Sequence, residues 1–253
     1  MPSPVSPAPP PAALVTGGAL RIGRAIVLAL ARSGHAVAIH ANHSRADAEA
    51  LRDKIVGSGG RAGVVAADLA DHDAVMGLVP AAAAAVGPLT LLVNNASTFE
   101  PDRIGDLDRD RFDRQIAVNL RAPLFLAQAF AAQAPAGGSI VNVLDQRVYR
   151  PRPGFFSYGI SKSALYVATT TLAQGLAPNV RVNAVAPGPT LPNVWHGDDT
   201  FARRSAAMPL GHGPSPEEVA DAVLFLASAK SITGETIAVD GGQHVVWNSD
   251  EED

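Results

Sequence analysis

The chain has 253 residues, a formal net charge of −4 and a hydrophobic fraction of 47%. That length suits one α/β domain with a full core, and the weakly acidic balance carries no electrostatic footprint for nucleic acid. There is no cysteine, which excludes disulfides, thiolate catalysis and Cys-based metal sites and fits a reducing, cytoplasmic compartment.

The opening stretch, MPSPVSPAPPPA, has neither the basic nor the apolar region of a signal peptide. Its prolines predict an extended, flexible arm over 1–11. A strand is predicted at 12–16, followed by a helix over 22–32 that Ser33-Gly34 ends. Strands at 36–40 and 62–68 are each followed by helical periodicity, over 46–59 and 71–86. A fourth strand at 89–96 leads to an irregular loop and a helix from about Asp108, where Asp108, Arg109, Asp110 and Arg111 read as a solvated face. SIVNVL (139–144) is a fifth strand, followed by a loop and the helix carrying Tyr158. VRVNAVAPG and ETIAVDGG supply two more.

The strand runs are apolar on both alternating faces, as in a parallel sheet covered by helices on each side. The expected fold is α/β: a single Rossmann-type doubly wound domain over 12–247, with a seven-stranded parallel sheet, right-handed crossovers and helices on both faces. Residues 191–214 have weak periodicity and predict a mobile loop with short helices, where a substrate lid would sit (about 190–214). The acidic tail, 248–253, is expected to be solvated. No apolar run is long enough to span a membrane, and His35, His40 and His43 lack metal-site spacing, so neither a membrane nor a metal is an expected partner.

VTGGALRIGRAI joins the first strand to the first helix. Such a turn offers backbone N–H groups and a helix dipole to a pyrophosphate. Gly17 permits the tight turn and Gly23 a close approach at the helix start. Arg21 stands where a middle glycine is expected, and its guanidinium suits a phosphate or an anionic ligand edge. After the second strand come His40, Asn42, His43, Ser44 and Arg45, with no acid before Asp47. A site for the ribose 2′-OH of NADH usually has an acid there, so NADPH is the expected cofactor.

Tyr158 and Lys162, four apart on a helix, share one face, and Asp145 lies 13 residues upstream of the tyrosine. TGGALRIG (16–23), Asn94-Asn95-Ala96, Asn119 in AVNLRAP, Tyr158-x-x-x-Lys162 and APGP (186–189) together resemble the short-chain dehydrogenase/reductase family over about 12–245. The resemblance implies Tyr158 as general acid. Lys162 would bind the nicotinamide ribose and lower the Tyr158 pKa, and Asn119 would help hold a proton-relay water. It further implies cofactor contacts from Gly17, Arg21, Ile22, Gly23, His40, Asn42, His43, Ser44, Asp68, Leu69, Asn95, Ala96, Ser97, Lys162, Pro187 and Gly188. It also implies a homotetramer.

Asp145 departs from the family, which usually has serine there. An ionised carboxylate repels the oxygen on which charge develops in carbonyl reduction, but accepts N–H donors from a nitrogen-rich ring whose C=N bond takes hydride. With Arg21, His40, Ser97 and Phe99, Asp145 is similar to the pteridine reductases and the bacterial dihydromonapterin/dihydrofolate reductases. That resemblance implies a pterin- or folate-like substrate held by Arg21, Ser97, Phe99, Asp145 and Tyr158, with Phe99 stacking the pterin. A ketone or 3-oxoacyl reductase, and a non-catalytic NADPH-binding sensor, are the alternatives.

Overall fold

In the computed structural model, which describes residues 10–192, 195 and 198–246, short apolar strands alternate with helices. The expected proline-rich arm falls almost entirely outside the described residues, and the acidic tail entirely so. The strands are β1 (Ala12–Val15), β2 (Ala36–Ala41), β3 (Arg61–Ala66), β4 (Leu89–Asn94), β5 (Gly138–Val143), β6 (Val180–Pro187) and β7 (Thr236–Val239). They form one sheet in the order β3-β2-β1-β4-β5-β6-β7, with every pairing parallel. This is the doubly wound α/β arrangement that the sequence predicts.

The helices are α1 (Arg21–Arg32), α2 (Arg45–Gly57), α3 (His72–Val86), α4 (Arg109–Ile116), α5 (Ala122–Gln133), α6 (Phe156–Leu176), α7 (Asp198–Ala206) and α8 (Pro216–Ser228). The two-residue period of the strands divides the core. Ala13, Val15, Val37, Ile39 and Ala41 pack with α1, α2 and α8. Ala12, Leu14, Ala36 and Ala38 pack with α3, α5 and Ala173 of α6. Side-chain caps set several helix starts: Asp71 accepts from Asp73 and Ala74 N–H, Asp108 accepts from Arg111 N–H, and Ser215 with Glu218 forms a capping box.

Three details differ from the sequence expectation. The helix that Asp108 caps runs on as α4, a π-helical turn (Ala117–Arg121) and α5, and the turn carries Asn119. Such turns recur at functional sites. Strands β1, β3 and β4 stop one to two residues early, because Thr16, Asp68 and Asn95 spend their hydrogen bonds on loops. The 191–214 segment contains α7, a helix with no buried residue.

A buried polar chain ties the sheet to the helix that carries the tyrosine. Asn94 Nδ2 donates to Asn142 Oδ1 (2.9 Å), and Asn142 Nδ2 donates to Thr169 Oγ1 (3.0 Å). Asn142 and Thr169 are fully buried. Replacing Asn142 leaves the Asn94 amide without its side-chain partner in the core and removes the bond that Thr169 Oγ1 accepts, although Thr169 still donates to Leu165 O. Asn142→Ala is expected to lower the unfolding free energy by about 2–4 kcal/mol, read by urea denaturation.

Candidate active site

Because all the strands run the same way, their carboxyl ends converge on one rim. A cleft of about 990 Å³ opens there. Of the catalytic, cofactor and substrate contacts inferred from the sequence, all but Ser44 and Asn119 line it. Ser44 sits at the start of α2, and Asn119 is buried behind the wall.

The phosphate turn is built by contact between β1 and β4. Thr16 Oγ1 accepts from Asn95 N–H (2.9 Å) and Ala96 N–H (3.0 Å). Asn95 Nδ2 donates back to the carbonyls of Thr16 (2.9 Å) and Gly17 (3.0 Å). Gly17 adopts φ +60°, and a Cβ on Gly23 would lie 2.1 Å from Gly17 O. Only glycine lets α1 start this close to the turn. Arg21 occupies the left-handed region (φ 55°), which explains why a glycine is expected at that position. Its guanidinium reaches the Leu191 carbonyl at 3.4 Å.

His40 has a different task from the phosphate contact inferred from the sequence. It is 2% exposed, Nδ1 accepts from Gly17 N–H (3.1 Å), and Nε2 lies 3.1 Å from Ala67 O. This pairing requires the proton on Nε2, and burial lowers the pKa, so the ring is neutral. Both nitrogens are spent on positioning the turn. The exposed Asn42 and His43 are the cleft-lining polar groups beyond it. Arg45 is paired with Glu49 (2.9 Å) and does not line the cleft.

At the other end, β5 delivers Asp145 and α6 delivers Tyr158 and Lys162. Tyr158 Oη donates to Asp145 Oδ2 at 2.9 Å, and Asp145 Oδ1 accepts from Arg147 N–H at 2.8 Å. Lys162 Nζ donates to Val143 O at 2.8 Å. Burial, and then the charge and hydrogen bond of Asp145, raise the Tyr158 pKa well above 10. The carboxylate, and not the lysine inferred from the family, is the tyrosine's immediate partner, and the ammonium is turned to Val143. Burial lowers the lysine itself to about 8, against an opposing pull from Asp145. The Asn119 side chain is also fully used. Nδ2 donates to Thr98 O and Ser161 Oγ, while Oδ1 accepts from Thr98 N–H and Ser97 Oγ. No donor or lone pair of the carboxamide remains for a relay water, so it positions the Ser97–Thr98 loop.

Phe99 packs flat on Phe155 (centroids 4.2 Å, 8°) and edge-to-face with Tyr158 (4.7 Å, 84°). Phe155 is itself left-handed (φ 59°). Buried Asp102 accepts from Ser157 N–H and Ser157 Oγ and so ties the Phe99 loop to the start of α6. Trp195 Nε1 donates to Phe99 O at 2.8 Å. The 190–214 segment thus bonds to residues of the cleft wall through Leu191 O to Arg21 and through Trp195 to Phe99. Asp102, Phe155 and Thr16 were not identified as site residues from the sequence, since their partners lie 55, 56 and about 80 positions away.

The cleft wall carries seven arginines and one lysine against two carboxylates, Asp68 and Asp145. Asp68 is held below the usual carboxylate range, first by the Ala70 N–H and then by Arg114. This cationic wall and the glycine cradle fit a phosphorylated dinucleotide.

A family model described as enoyl-(acyl carrier protein) reductase matches residues 18–244. The chain belongs to the short-chain dehydrogenase/reductase family. As a member of that family it is an oxidoreductase. It is similar to a crystal structure of FolM alternative dihydrofolate reductase 1 from Brucella canis complexed with NADP: 48% identity, TM-score 0.92, covering 95% of this chain and 96% of that one. An uncharacterized oxidoreductase of Methylorubrum extorquens is 36% identical over 238 residues, 91% of this chain and 96% of the relative. L-xylulose reductase of Mesocricetus auratus is 36% identical over 241 residues, 91% and 95% of the respective chains.

Within this short-chain dehydrogenase/reductase site, the lysine has a measurable consequence for stability. A folded pKa of about 8 against the usual 10.5 means that the unfolded chain holds this proton more tightly. The lysine therefore costs stability below pH 8, and stability rises between about pH 8 and 10.5. In the cofactor-free protein, Lys162→Met is expected to remove that rise and to stabilise at pH 7 by at most about 3 kcal/mol, read by urea denaturation at pH 7 and 10.

Proposed function

We propose that this reductase uses NADPH to reduce a C=N bond in a dihydropteridine or dihydrofolate ring. The observation that carries the reading is the 2.9 Å hydrogen bond from Tyr158 to Asp145. A carboxylate in that place suits a nitrogen-rich ring, whose amino and ring N–H groups donate to it. Similarity to the Brucella FolM structure with NADP supports both the cofactor and the substrate class.

Bound NADPH supplies the hydride. Gly17, Arg21, Ile22, Gly23, Asn42 and His43 would hold its phosphate and adenosine side, with Asp68 and Leu69 at the adenine. Asn95, Ala96, Lys162, Pro187 and Gly188 would line its nicotinamide half. Tyr158, kept protonated by burial and by Asp145, gives its phenolic proton to the ring nitrogen as the adjacent carbon takes the hydride. Asp145 accepts the ring's N–H donors and fixes its orientation, while Phe99 and Phe155 form the aromatic wall against which a flat ring packs.

A carbonyl reductase is the second reading, favoured by the relationship to L-xylulose reductase. Turnover assays with NADPH and dihydrobiopterin, dihydromonapterin, dihydrofolate and L-xylulose separate the two. Asp145→Ala is expected to lower kcat for the pterin about 100-fold and to change NADPH affinity less than threefold. Turnover of L-xylulose alone, unaffected by Asp145→Ser, would reverse the assignment.

We also propose the homotetramer of the family. Tyr166 and Val167 on α6 are exposed apolar side chains that an assembled interface would cover. Light scattering is expected to give four times the 26.0 kDa chain mass, and Val167→Glu to give smaller species.

A further inference from the structure

Beyond the aromatic wall the cleft continues into a second recess of about 750 Å³. Arg103, Arg147, Arg152, Pro153 and Phe155 line both spaces, which makes the recess an extension of the cleft. Its far side is formed by Ile104, Pro151 and Ile160. Arg147 holds its guanidinium 4.8 Å from the centre of the Phe155 ring and 5.3 Å from that of Phe99. Arg204 faces the same cleft from α7.

Arg114 is engaged by Asp68, and Arg150 is spent on the carbonyls of Gln243 and Val246. Among the described residues, Arg103, Arg147, Arg152 and Arg204 form no ion pair with a carboxylate. Burial, and then the like charges of Arg147, Arg152 and Arg203, lower the Arg204 pKa. Arg103, Arg147, Arg152 and Arg204 outnumber Asp106 and Asp145, the carboxylates that line these spaces besides the Arg114-paired Asp68, so like charges oppose one another at this rim and a bound polyanion removes that opposition.

We infer that Arg147, Arg152 and Arg204 form a subsite for an anionic side chain on the substrate, two or more carboxylates or a phosphate, that leaves the ring along the Phe99–Phe155 wall. The inference rests on the pterin reading, because it takes the ring to lie beside Tyr158 and Asp145. The arginine subsite discriminates between substrates by their tails. A tail with an aryl segment and terminal carboxylates matches the apolar floor and the cationic rim together, and a short phosphorylated side chain matches the rim alone.

The test compares KM for dihydrofolate, dihydrofolyl-triglutamate, dihydromonapterin and a phosphorylated dihydropterin, in the native enzyme and in the Arg152→Gln/Arg204→Gln double variant. Native KM is expected to fall at least tenfold from the uncharged dihydromonapterin to the better anionic substrate, and this ratio is expected to collapse in the double variant and in 0.5 M NaCl. Preference for the triglutamate assigns the carboxylate source, and preference for the phosphorylated compound assigns the phosphate. Equal KM for charged and uncharged substrates, as when the arginines serve only to hold the acidic 248–253 segment, would overturn the proposal. Binding of p-aminobenzoyl-triglutamate and of inorganic pyrophosphate to the NADPH-loaded enzyme is measured alongside by calorimetry. If no dihydropterin is turned over, the ring assignment fails by itself. Saturable binding of either probe, weakened at least tenfold in the double variant, then still supports the anionic subsite, and its absence overturns it.

Discussion

All seven strands point the same way, and every loop that carries chemistry is placed by that constraint. A parallel sheet sends each chain back over a helix, so the carboxyl ends of β1, β4, β5 and β6 lie side by side. Gly17, Asn95, Asp145 and Gly188 are spread over more than 170 positions of sequence, yet they line one cleft. The reversal of strand order between β1 and β4 opens the crevice, and Thr16 and Asn95 fasten its two sides by four short hydrogen bonds. His40 completes the turn from β2 by accepting the Gly17 N–H. The dinucleotide end is therefore held by inward-facing side chains bonded to backbone groups, and little of its precision depends on exposed side chains.

The reacting end relies instead on burial. Tyr158 and Lys162 are both nearly inaccessible, and removal of water moves their pKa values in opposite directions. Asp145 adds to the upward shift of the tyrosine and opposes the downward shift of the lysine, so it favours the protonated form of each. A phenol held protonated next to a carboxylate is a proton donor awaiting a base, and a ring nitrogen that has gained electron density from hydride is such a base. The serine usual to the family would leave the phenol without this charge, and on the pteridine reading proposed above that one side chain suits the Tyr-Lys frame to a ring C=N bond.

Between the two ends lie the strained residues. Arg21 and Phe155 both take the left-handed conformation, at a cost of about 1–2 kcal/mol each for an L-residue. Both line the cleft and both meet loops: Arg21 reaches Leu191, and Phe155 stacks on Phe99. Asp102, bound to the first turn of α6, keeps the Phe99 loop in register with Tyr158. The strain is thus located where ligand walls are shaped, and the paired core behind it supplies the rigidity.

Much of this was legible in the sequence. Apolar runs of strand length, separated by helical periodicity, specify a parallel doubly wound sheet because both faces of each strand must be covered. The glycine turn, the Tyr-Lys spacing and the acid at 145 are local patterns with a direct chemical meaning, and all of them line the cleft except the Asn119 and Ser44 side chains. Tertiary structure alone decided the partners. His40 looked like a phosphate ligand until both of its nitrogens were found on backbone groups, Asn119 like a water holder until its carboxamide was found saturated, and Lys162 like the group that sets the tyrosine until Asp145 was found on the hydroxyl. The arginines of RVYRPRP are plain in the sequence, but their convergence with Arg204 on one cleft is not. The physical reason is common to all four: periodicity and spacing report which face a residue occupies, whereas a hydrogen bond or a charge cluster depends on segments that only the folded sheet brings together.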